Sequence, residues 1–257
     1  MYTLCGKDRI HPSTDGHLVM AYLFLKAQGL AGKPVADIRI DGAGKKVTRS
    51  DNCRVSDLSV SSDNLTFTYE AKSLPYPIDT SYYDNEKHTQ ADALSVIPFM
   101  DEMNYEGLSV SGLSDGYYGL TIGGEFIGRF TARELERGIN MALLQNTPQY
   151  KQAMKIRQMN EERWLKERKM REFYWVEYNL MRKTGMLWAC NEAAVDTLRK
   201  YRPHDIFLQW NGDLWLQYMH KGIREDCVNE QQDLVNRIYE QNKPIPLRIE
   251  IKKFTDL

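Results

Sequence analysis

The spacing of apolar positions changes twice along the chain. Over residues 14–27 they recur at helical intervals: Leu18, Val19, Ala21, Tyr22 and Leu25 share a face, Ser13 or Thr14 can cap the start, and Gly29, Gly32 and Pro34 stop it. From residue 35 the period falls to two. "VADIRIDG" alternates as a strand does, and residues 58–74 predict two short strands about a turn at 61–64. Residues 75–88, rich in Pro, Tyr and Asp, predict an irregular excursion, with a short helix over 91–104. Residues 108–131 predict a meander of short runs separated by Gly-containing turns.

Beyond residue 131 the helical period returns. Thr131 and Glu134 form a capping box that opens a helix carrying Leu135 and Ile139. Thr147-Pro148 starts another, with Pro at the first helical position, predicted to run to about Lys183. Asn191 caps a helix to Tyr201, two more are predicted over 204–222 and 224–242, and "IPLRIEIKK" closes the chain as a strand. The expected class is α+β, in three parts: 1–33, a β-rich 34–130, and a mainly helical 131–257.

Composition narrows the function classes. With 42% hydrophobic and 27% charged residues and a net charge of -1, the chain is of globular type and makes no electrostatic case for nucleic acid or an anionic membrane. The basic stretch at 151–172 places Glu162–Lys166 and Glu167–Arg171 four residues apart, and Phe173, Val176, Leu180 and Met181 follow at core spacing. That pattern is a solvated amphipathic helix rather than a nucleic-acid surface. No apolar run approaches the roughly 20 residues of a membrane span. "MYTLCGKDRI" lacks the basic start and apolar core of an export signal, which leaves the compartment open.

Cys5, Cys53, Cys190 and Cys227 show no metal or disulfide spacing, and no metal or organic cofactor is expected. His204 and His220 read as surface or packing residues. Tyr76, Tyr82, Tyr83, Trp210 and Trp215 suit stacking on sugar rings and core packing equally.

The candidate chemistry sits near the start. Asp8 and His11 are three residues apart on a tight turn stiffened by Pro12. A carboxylate on one imidazole nitrogen fixes the tautomer and stabilises the imidazolium formed when the other nitrogen takes a proton. By spacing alone a surface Asp–His pair is the commoner outcome. The longer string "DRIHPSTDGHLVMAYLFLKA" resembles the last conserved block of the SGNH (GDSL-type) serine hydrolases, where such a turn, a Gly-His pair and an amphipathic helix end an α/β, flavodoxin-like catalytic domain. "SLPYPI" (73–78), "GINMA" (138–142) and "NTPQY" (146–150) resemble, in that order, the C-terminal extension of some of these hydrolases.

The resemblance implies that Asp8 orients, that His11 is the general base, and that Gly16 and His17 are structural. It implies an acyl ester substrate, an acylated carbohydrate among the options, and a family that is often exported. The family's Gly-Asp-Ser block and its oxyanion Gly and Asn should precede Asp8, so the expectation is a C-terminal fragment, inactive alone on esters. "GLSDG" (112–116) fits a nucleophile elbow by its letters, but "YYGLTI" after Ser114 is a strand where the elbow needs a helix; a hairpin turn is expected there. The alternative from another class is a non-catalytic module recognising glycan or protein.

Overall fold

The computed structural model of the chain describes residues 3–5, 9–81 and 88–254. The class is α+β, with one mixed and one antiparallel sheet and a helical region toward the C-terminus. Two compact units are present: residues 1–155 with 242–257, and residues 156–241.

The first unit opens with helix α1 (Thr14–Ala27) and contains strands β1 (Ala36–Asp41), β2 (Lys46–Asp51), β3 (Cys53–Val60), β4 (Asn64–Ala71), β5 (Glu106–Ser111), β6 (Tyr117–Ile122), β7 (Glu125–Thr131), β8 (Ile139–Asn140) and β9 (Leu247–Lys253). Helices α2 (Phe99–Glu102) and α3 (Ala132–Arg137) are short. One sheet has the order β2-β1-β5-β8, with β1 and β5 parallel. The other, β3-β4-β9-β6-β7, is antiparallel throughout. Strand alternation sends Ile38, Ile40, Leu108 and Val110 from the first sheet, and Leu65, Phe67, Leu120, Ile122, Ile249 and Ile251 from the second, into one core.

The expected meander is not formed as such. β6 and β7 do make a hairpin, but β5 and β6 lie in different sheets, so the turn around Ser114 is a crossing between sheets and not a hairpin. Gly112 (φ 73°) and Gly116 (φ 141°) supply the left-handed backbone that the crossing needs. Ser114 is followed by a strand, and its hydroxyl lies 2.8 Å from Lys253 Nζ and 3.1 Å from the Tyr118 hydroxyl. Ile139 belongs to β8 rather than to the helix before it, because Gly138 at φ 94° ends α3. The helix expected over 91–104 is a 3₁₀ segment (Gln90–Ser95) and α2, separated at Pro98.

The second unit is helical. Helix α4 (Pro148–Val176) runs into it, continues as a π-helical turn (Glu177–Met181), and is followed by α5 (Glu192–Tyr201), α6 (Ile206–Tyr218) and α7 (Lys221–Gln241). Phe173, Val176, Leu180 and Met181 form its core with Leu198, Leu208 and Trp215. Among the described residues no helix is long and apolar enough to cross a membrane.

Candidate functional site

Pro12 forms a bridge with Cys5, and the Ser13 N–H donates to the Leu4 carbonyl at 3.2 Å. These contacts tie residues 4 and 5 to residues 12 and 13, beside the imidazole of His11. Arg9 between them takes φ 59°, and His11 is exposed. Asp8 lies outside the described residues. Gly16 is required for this approach: a Cβ there would sit 2.0 Å from the Leu4 carbonyl oxygen. His17 is exposed on the first turn of α1.

An acid–imidazole contact between Asp15 and His88 borders the turn, and no local motif predicts it. Asp15 is fully buried. Its Oδ1 accepts from the Ser13 hydroxyl and, at 2.9 Å, from the Gly16 N–H. Oδ2 has no hydrogen-bond partner among the described residues and lies 3.8 Å from His88 Nδ1, which in turn is 4.0 Å from Asp92. His88 sits 73 positions downstream of Asp15, beyond the reach of any local motif.

Helix α1 holds the turn against the body of the unit. Leu18, Val19 and Tyr22 are buried with Ile78, Ala93, Ile97, Phe99 and Met100. Tyr22 donates to Glu102 at 2.7 Å and Lys26 pairs with the same carboxylate. The opposite face is uncovered: Met20 is 49% exposed, Leu23 53%, Phe24 64%, and Ile10 at the turn 74%.

The three strings read as family marks interlock. Tyr150 of "NTPQY" donates to the Ile78 carbonyl of "SLPYPI" at 2.8 Å. Asn140 of "GINMA" donates to the carbonyls of Met100 and Asn104 and accepts the Glu106 N–H at 2.9 Å. Asn104 pins both backbone polar groups of Tyr76. Their chemistry is backbone satisfaction around the segment that supports α1.

Of the aromatic candidates, Trp215 is fully buried and gives its indole N–H to Glu177 at 2.8 Å, which is the core-packing alternative. Trp210 is 67% exposed, and the partly exposed Tyr76 accepts from the Gln90 amide at 2.7 Å. Tyr82 and Tyr83 lie outside the described residues. In the helical unit a groove of about 360 Å³ is lined by Trp164, Arg168, Arg171, Glu172, Trp175 and Asn211. His220 Nδ1 lies 3.4 Å from Cys190 Sγ. Among the described residues no three His, Cys, Asp or Glu side chains gather as metal ligands would.

Residues 154–243 match the family described as the diltiazem deacetylase C-terminal helical domain. The whole fold is similar to that of a gut microbial diltiazem-metabolizing enzyme, with a TM-score of 0.92 and 41% identity. That match covers 98% of this chain and 57% of the other, so this chain spans little more than half the length of that enzyme. No curated protein matches the chain.

Proposed function

We propose that this chain acts as the C-terminal part of an SGNH-type serine ester hydrolase that removes acyl groups, acetyl first among them, from an alcohol. Asp8 orients His11. His11 takes the proton from a serine hydroxyl as its oxygen attacks the ester carbonyl, then returns that proton to the leaving alcohol; water repeats the cycle on the acyl-enzyme. The serine and the oxyanion donors belong to an α/β domain outside this sequence, and the chain by itself does not turn over esters.

The observation that carries this reading is the uncovered apolar face of α1 directly after the exposed His11. Three large side chains, Met20, Leu23 and Phe24, sit at helical spacing and leave about half or more of their surface exposed among the described residues. A stripe of this kind marks an interaction surface. The likeness to a diltiazem-metabolizing enzyme, and to the helical domain of a deacetylase, supports acyl ester chemistry.

The test pairs the chain with an α/β domain bearing the Gly-Asp-Ser block and follows p-nitrophenyl acetate hydrolysis. His11→Ala is expected to lower kcat by on the order of 10⁴. Unchanged hydrolysis removes His11 from the mechanism.

A second reading, recognition of glycan or protein by the helical unit, rests on the groove beside α4. Indole and guanidinium groups there are the side chains that most often anchor recognition. Retention of the isolated chain on an immobilised glycan, lost in Trp164→Ala, would favour it.

A further inference from the structure

Glu106 is the first residue of β5 and points into the core shared by the two sheets. Tyr69 of β4 donates to its Oε1 at 2.8 Å, and the Gln149 amide, on the first turn of α4, donates to the same oxygen at 3.2 Å. The other carboxyl oxygen, Oε2, has no hydrogen-bond partner among the described residues, and neither has Gln149 Oε1. An ionised carboxylate can only accept, as can an amide oxygen, so the ionised form leaves two bare acceptors in the core.

We propose that Glu106 is held as the neutral acid, with its proton on Oε2 donated to Gln149 Oε1, in a cyclic acid–amide pair that fastens the first turn of α4 to both sheets. A single proton satisfies both oxygens. Three elements meet there: β4 of the five-stranded sheet through Tyr69, β5 of the four-stranded sheet, and α4.

Among the described residues no cation offsets the charge of an ionised Glu106; only Tyr69 and Gln149 act on the buried carboxyl. Burial pushes the Glu106 carboxyl up to about 7, and the two donated hydrogen bonds only partly oppose it. On β4 the Tyr69 hydroxyl is driven far up, by burial first, and stays a donor. On β3 burial raises the Cys53 thiol. Ala36 on β1 is in register with Glu106, and Asn140 of β8 takes its backbone N–H. Arg39 and Arg49 both pair with Asp37, and strand alternation puts Asp37 on the opposite face from Ala36.

The joint is therefore sensitive to pH. The folded-state value lies above the ordinary carboxylate value of 4.5 that applies to the unfolded chain. Its stabilisation is complete below that value and is lost as pH rises through about 7. This device stands apart from the activity proposed above.

The test compares wild type with Glu106→Gln, whose amide can donate to Gln149 and accept from Tyr69 without titrating. Between about pH 5 and about pH 8 the Tm of wild type is expected to fall relative to the variant, and exchange of the first amides of α4, corrected for intrinsic rate, to rise about tenfold. Infrared spectra of wild type at about pH 6 should show a protonated-carboxyl C=O band that Glu106→Gln lacks. Parallel Tm profiles with no such band would overturn the proposal. If Glu106→Gln does not fold, Gln149→Leu serves: loss of the acceptor should move the band to higher wavenumber, and an unmoved band refutes the pair.

Discussion

Gly16 shows how little room the turn around His11 leaves. Its missing side chain lets the Leu4 carbonyl pass over the first turn of α1 and take the Ser13 N–H. Gly16→Ala is expected to force these segments apart and cost about 2 kcal/mol, measured as a lowered denaturation midpoint. The residue types here were legible: the Gly and the imidazole stand in one short string whose turn and helix start are local properties. Asp15 was not. Its burial, and the approach of His88, depend on a segment far along the chain, and no periodicity encodes such a meeting. Ser114 is the reverse case, a suggestive string whose neighbours give it a strand to follow and a lysine to touch.

At the scale of elements, local signals were read where they exist. The Thr131–Glu134 box forms as written, each side chain bonded to the other's backbone N–H, and Pro148 begins α4. β2 escaped because its side chains are mostly solvent-facing and carry no alternation. The crossing from β5 to β6 escaped because adjacent strands are taken to pair, whereas here β6 pairs with β9. The π-helical turn also has no local signature. It contains the fully buried Glu177, whose two oxygens accept the Trp215 indole N–H and the Trp188 backbone N–H, each at 2.8 Å. Trp188 itself holds φ 62°. Glu177→Ala leaves both donors without an acceptor and should destabilise the helical unit by roughly 3 kcal/mol, with a shift in tryptophan emission as the readout.

At the scale of the molecule, the general class and the helical character of the later chain followed from periodicity. The assignment of strands to two sheets did not, since it is settled by contacts between distant segments. β9 is the clearest instance. It reads as a lone closing strand, yet it lies between β4 and β6 and joins the two hairpins of the five-stranded sheet. Removing residues 246–257 takes Leu247, Ile249 and Ile251 out of the core. The expected result is loss of the strand signal in circular dichroism and of protease resistance in residues 9–155, with the helical signal largely kept.

The central position of β9 also orders events during synthesis. A ribosome delivers β4 and β6 first, and then the whole of residues 156–241, before the strand that unites them emerges. At about 5–20 residues per second, those two hairpins wait on the order of ten seconds with open edges. The helical unit is complete while its older neighbour is still unfinished, so nascent chains stalled in that interval are the ones to be found on chaperones.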